Sequence, residues 1–283
     1  MADTASTAWA AATLRTRIRH DPGFALWAVA GTCWVLLVAL ALLAPGLAHR
    51  HGVAGALATG ADPAPVLGVF AAAWLVMVAA MMLPGTVPLM RLHGVVTARV
   101  EHRARVRAVF VAAYFAVWLG FAGVALLGDA GVHALVDGSG WLREREGLVL
   151  AVALALAGAA QYTPLTRRCL RVCRDPRGFL FQHYRRGVAA AWWLGVRHGM
   201  SCLGCCWALM LVMFATGTGN LWWMVGLTAV MVAEKTTRWG AQIVAPVGMV
   251  LLFAAAWLGL EALAVPAGEL GVTVHEHVTV HGH

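Results

Sequence analysis

The sequence predicts an all-α integral membrane protein: a polytopic bundle of about seven transmembrane helices, amino end inside and carboxyl end outside. Three observations predict it. Of 283 residues 61% are hydrophobic and 12% charged, whereas a soluble domain carries about a quarter charged residues. The apolar residues collect in long runs, and about 20 residues at 1.5 Å rise suffice to cross a hydrocarbon core of roughly 30 Å. The basic residues, 21 against 13 acidic ones, cluster in alternate loops, as the positive-inside rule requires. The net charge of +8 is therefore a topology signal and a set of headgroup contacts, with the lipid bilayer as partner and no nucleic acid.

Taken in order, residues 1–23 form a cytoplasmic segment with Arg15, Arg17 and Arg19 before the first apolar run. No small-residue site marks it for removal as a signal peptide. The transmembrane domain covers residues 24–265, with a first span over 24–48 whose solitary Cys33 is a packing residue. After an outer loop comes a second span, 66–90, containing Met77, Met81, Met82, Pro84 and Pro88. Proline there frees carbonyls of the preceding turn and bends the helix. An inner loop, 91–107, carries five arginines, and a third span follows at 108–128. Its Tyr114 and Trp118 stand one turn apart as packing or interface anchors.

An outer loop, 129–146, leads to a fourth span, 147–165, where Gln161 is placed to hydrogen-bond across helices. The arginine block of 166–186 is cytoplasmic. A fifth span runs over 188–216 and turns through T-G-T-G-N into a sixth at 221–233, which is too short for the whole core. Glu234 and Lys235 thus fall within the inner boundary, as an ion pair or with Lys235 snorkelling outward. A seventh span, 241–265, precedes a His-rich tail, 266–283. No internal repeat argues for an inverted-repeat transporter.

The chemistry concentrates in the fifth span, G-V-R-H-G-M-S-C-L-G-C-C-W-A-L-M. His198, Cys202, Cys205 and Cys206 recur at i, i+4, i+7 and i+8, on or beside one helical stripe that Met210 and Met213 extend. Cysteine also packs as a small hydrophobe, so one thiol would mean nothing. Three thiols in five residues with an imidazole one turn earlier point to a soft or borderline metal, copper first and zinc second. Met81 and Met82, beside the proline bend, add thioethers from the second span. Weaker candidates lie outside this group. Cys169 and Cys173 in the inner arginine block make a potential hand-off pair. Glu234 offers a hard ligand or proton site, and His275, His277, His281 and His283 in the tail a loose collecting site.

The blocks A-A-M-M-L-P, Q-Y-T-P-L, C-L-R-V-C-R-D-P, H-G-x-x-C-x-G-C-C-W and the pair Glu234-Lys235 resemble an uncharacterised bacterial family of predicted metal-binding integral membrane proteins. The resemblance covers residues 66–250, and the H-G-x-x-C-x-G-C-C-W block is its most specific part. It implies metal binding in the membrane and supplies no reaction.

Three function classes follow. The first is a protein of the bacterial inner membrane that handles a soft metal for transport, delivery or homeostasis, in exchange with a metallochaperone or a larger membrane complex. The second is a thiol-disulfide oxidoreductase using Cys202 with Cys205 or Cys206, against which a third adjacent thiol argues through mispairing. The third is a structural subunit of a membrane complex. No nucleophilic triad, phosphate loop or paired-carboxylate site stands out, so the sequence does not read as a hydrolase or an ATP-driven pump.

Overall fold

A computed structural model describes residues 22–43, 60, 62–145, 147–216 and 220–264, and among them there is helix and no strand. The elements are α1 (Pro22–Leu43), α2 (Pro63–Val96), α3 (Arg103–Gly138), α4 (Gly140–Arg143), α5 (Gly147–Gln161), α6 (Pro164–Arg174), α7 (Pro176–His183), α8 (Val188–Ala215), α9 (Leu221–Thr236) and α10 (Gly240–Ala264). Five of these, α1, α2, α3, α8 and α10, are long and apolar enough to cross a membrane. The pair α5 and α6 passes that test only jointly, bent by 66°. The exterior carries Leu43, Phe253, Trp257 and Leu260 exposed, which suits lipid rather than water.

The fourth and sixth spans depart from the sequence reading for local reasons. Thr163 takes an extended conformation and its side chain accepts from the Thr166 amide, while Pro164 opens a new helix. The chain therefore turns at the Thr-Pro step instead of continuing to 165. The segment after it, read above as a loop, is two further helices, α6 and α7. Helix α9 begins on an Asn220 cap and has 16 residues, about 24 Å at the helical rise. It ends where Glu234 and Lys235 enter the bundle.

Small residues set two close helix approaches, the usual means of tight packing where lipid is as apolar as leucine. Gly158 of α5 meets Gly248 of α10, where a Cβ on Gly158 would lie 2.9 Å from the Gly248 carbonyl oxygen. Gly195 and Gly199 of α8 ride on α3, whose Phe110 and Tyr114 carbonyls stand against them. That second approach brings the thiol-bearing face of α8 onto Tyr114.

Contacts fix three levels along the bundle. Trp74, Trp118 and Phe214 meet at one end, with the Trp74 indole donating to the Trp118 carbonyl at 3.0 Å. Met82, Tyr114, Cys202, Cys206 and Lys235 meet in the middle. His93, Phe110 and His198 meet toward the arginine-rich end. Helices α2 and α8 accordingly run antiparallel, as do α2 and α3.

Replacing Gly195 by Leu should force α8 away from α3 at a cost of about 1–3 kcal/mol. Thermal unfolding in mild detergent checks this, and a melting temperature equal to wild type would show that the approach is looser than described.

Candidate metal centre

The centre starts from a backbone defect in α2. Pro84 has no N–H to give the Ala80 carbonyl, and the indole Nε1 of Trp34 in α1 donates to that oxygen instead, at 3.1 Å. The freed turn carries Met81 and Met82, each about 1% exposed. One residue beyond the proline, Gly85 leaves the room that the Lys235 stem occupies: a Cβ there would stand 2.9 Å from Lys235 Cδ. A proline and a glycine together let a long side chain from α9 reach the bundle core.

Lys235 is the only lysine of the chain. Its Nζ lies 3.2 Å from Cys202 Sγ, 3.7 Å from Cys206 Sγ and 3.7 Å from Met82 Sδ. An ammonium has three N–H donors, and here three sulfur atoms face them. Cys206 Sγ is 3.9 Å from Met82 Sδ, and the Tyr114 hydroxyl is 3.1 Å from Cys202 Sγ. The thiols of Cys205 and Cys206 donate back to the Cys202 carbonyl at 3.0 and 2.8 Å. Lys235 therefore points inward and does not snorkel. Glu234 does not pair with it, but accepts from Gln161 Nε2 at 2.9 Å, the cross-helix bond expected of Gln161. Arg174 of α6 caps the same turn by donating to the Glu234 carbonyl.

His198 is buried one turn from Cys202, with its ring against Phe110, Tyr114 and Phe179 at centroid distances of 6.1, 5.7 and 5.7 Å. Neither of its ring nitrogens has a hydrogen-bond partner among the described residues. Cys173 is buried in the same core cluster as Cys202 and Cys205, because α6 folds back with Thr166, Leu170 and Cys173 as its buried face. Cys169 sits against Gly204, where a Cβ would come within 2.5 Å of its sulfur. The two loop cysteines thus adjoin the membrane site instead of forming a separate inner pair. The tail histidines His275, His277, His281 and His283 lie outside the described residues.

The donor chemistry is that of a soft metal: thiols and a thioether within van der Waals reach of one another and of one cationic group. Among the described residues, no three His, Cys, Asp or Glu side chains already converge as a preformed metal centre. The cause is visible in the contacts, since two thiols turn back to their own helix and Lys235 fills the space between the sulfurs. Over residues 71–258 the chain matches the model of a family described as PpoB2, copper chaperone. The chain belongs to that family. Neither the curated proteins nor the solved structures gave a match. Membership of a copper chaperone family agrees with the metal expectation from the sequence, and the sulfur group at the centre of the matched region has the softness that copper requires.

Sequence reasoning missed three members of the site. Tyr114 passes for an anchor because only its hydroxyl, one atom, touches sulfur. Lys235 reads from the length of its span as half of an ion pair or as a snorkelling group, neither of which points to the sulfurs, although a sole lysine in an apolar segment is itself a functional signal. His93 went unremarked at the end of its span; it is fully buried with both ring nitrogens unpartnered.

Four of the six cysteines are buried, and Cys33 and Cys169 are half-buried. A thiol reagent added to the folded protein in detergent should therefore find at most two fast-reacting groups, and six after unfolding. Three or more fast groups would contradict the burial of the central sulfurs.

Proposed function

We propose that the protein binds Cu(I) in the middle of its helix bundle and passes it on by ligand exchange, as a membrane-embedded carrier in copper delivery or homeostasis. The observation that carries this reading is the ring of Met82 Sδ, Cys202 Sγ and Cys206 Sγ around Lys235 Nζ. A single positive charge already sits among three soft donors. The nest therefore has the size and polarity for a monovalent soft cation, and the ammonium is a tethered stand-in for it. Copper is cargo here, and binding it requires Lys235 to yield its place. Cys205, Cys173 and Met81 are buried in the same core cluster as these donors, and His198 supplies the next one toward the arginine-rich end. Cys169 and the Glu234 carboxylate flank the group; the tail histidines would collect metal at the opposite, outer end.

A methionine column supports exchange rather than storage. Met77, Met210, Met213, Met224 and Met231 are all buried in the same core as the cysteines. Along α2, α8 and α9 they recede from the nest toward the Trp74 end, in steps of one or two turns. Core methionines fill gaps in any protein, but thioethers in series also offer weak, repeated sites of the kind a moving Cu(I) needs. The charge pattern supports an orientation with the arginine-rich end cytoplasmic, and the membrane we propose is the bacterial inner membrane.

The thiol-disulfide reading draws on the same cysteines, and the lysine held against two of the sulfurs is what sets it second. A redox pair needs one thiol to reach its partner, whereas Cys205 and Cys206 both hydrogen-bond to backbone.

Metal content per chain tests the proposal, by mass spectrometry on reduced protein whose tail histidines are replaced by Asn. A sulfur-bound copper is expected in the parent, and the Cys202→Ser, Cys206→Ser double variant should hold one copper per chain fewer. A Met82→Leu variant should keep the metal but bind it about tenfold more weakly, about 1.4 kcal/mol. Copper retained in full by the double variant would contradict the nest, as would no copper in the parent.

A further inference from the structure

We propose that His93 and His198 form a second Cu(I) station made of two imidazole nitrogens, separate from the sulfur nest and nearer the arginine-rich end. The inference rests on the copper reading above for its ligand class and on two observations of its own. Both histidines are buried, at 0% and 2% exposure. All four of their ring nitrogens lack a hydrogen-bond partner among the described residues. A buried unpaired imidazole costs about 1–3 kcal/mol, and two of them facing one aromatic neighbour have no packing reason to be histidine. Leucine or phenylalanine would fill the same volume without the penalty.

The two rings share Phe110. His93 stacks on it at 5.2 Å between centroids with 29° between planes, and His198 at 6.1 Å with 25°. Three different helices therefore deliver one aromatic ring and two nitrogen-donor rings to a single level of the bundle. Tyr184 and Phe179 close the group, at 6.3 Å from His93 and 5.7 Å from His198. The Phe110 contacts are stacked and the other two edge-on or tilted, and the ring nitrogens have no hydrogen-bond partner among the described residues. Imidazole is a borderline donor that accepts Cu(I) as well as Zn(II), and neutral rings in an apolar surround suit a monovalent ion that brings little charge to be solvated.

The position gives the station its role. His198 precedes Cys202 by four residues and His93 follows Met82 by eleven, so the rings lie about 6 Å and about 16 Å from the nest along their helix axes, on the same side. Beyond His93, Arg107 spans the backbone at Gly94 and the Thr97 hydroxyl, with bonds of 2.8 and 3.3 Å. Metal leaving the sulfurs toward that end meets His198 first and His93 last, and sharing one ion between them requires the Phe110 ring, on which both stack, to move aside. No bond other than metal–ligand bonds changes in the transfer, and copper remains Cu(I).

Anaerobic Cu(I) titration against bicinchoninate, read together with copper X-ray absorption, tests this in the full chain carrying Asn at the four tail histidines. The parent should take two equivalents, one among sulfur and one among nitrogen neighbours. His93→Leu should lose the nitrogen-bound equivalent alone, and Cys202→Ser with Cys206→Ser the sulfur-bound one alone. Where His93→Leu is not monodisperse, His93→Gln gives the same reading, since an amide does not replace the imidazole. A parent with one sulfur-bound equivalent only, or a His93 variant that keeps both, overturns the second station and leaves the nest standing. A parent with one nitrogen-bound equivalent only overturns the nest and leaves the station.

Discussion

The structure depends on bringing one ammonium group into an apolar bundle and giving it partners there. A charge in such a place is costly unless it is matched, and the match for Lys235 is three sulfur atoms from two other helices. Each supporting feature is a condition for that contact. Pro84 opens the turn that exposes Met82, and Trp34 of α1 occupies the carbonyl that the proline releases. Gly85 gives the lysine stem its path. Gly195 and Gly199 let α8 close on α3 so that Tyr114 can touch Cys202. Arg174 and Gln161 hold the neighbouring Glu234, keeping the end of α9 at the depth where Lys235 reaches inward.

The same arrangement accounts for how a soft cation could be held without being trapped. Sulfur donors favour Cu(I), and a built-in cation of equal charge competes with it for the same space. On the proposed reading, Lys235 would return to the position the metal vacates, so release would leave no unpaired charge in the membrane. Binding and release would then be an exchange of one positive charge for another.

Much of this was legible in the sequence. The helical class followed from composition, and α8 coincides with the predicted fifth span almost to the residue, because an uninterrupted apolar run with glycine at its start admits one reading. The cysteine stripe was legible for the same reason, since i, i+4, i+7 and i+8 address one face of any helix. What escaped was every relation between helices. The bend at Thr163-Pro164 turned a predicted span and loop into two buried helix faces, which carried Cys173 to the nest. The depth of Lys235 depended on Gly85, 150 positions away in the chain. His93 looked like the polar end of a span, and only its packing on Phe110 shows that it is buried. Local periodicity specifies which face of a helix matters, while partners across helices depend on bends and close approaches that periodicity does not encode.

The central claim is that copper enters the sulfur nest and displaces the lysine. X-ray absorption at the copper edge, on the purified chain loaded with one equivalent of Cu(I), addresses it most directly. The account predicts a first shell dominated by sulfur, unchanged when Lys235 is replaced by Met. A first shell of nitrogen or oxygen alone would contradict it.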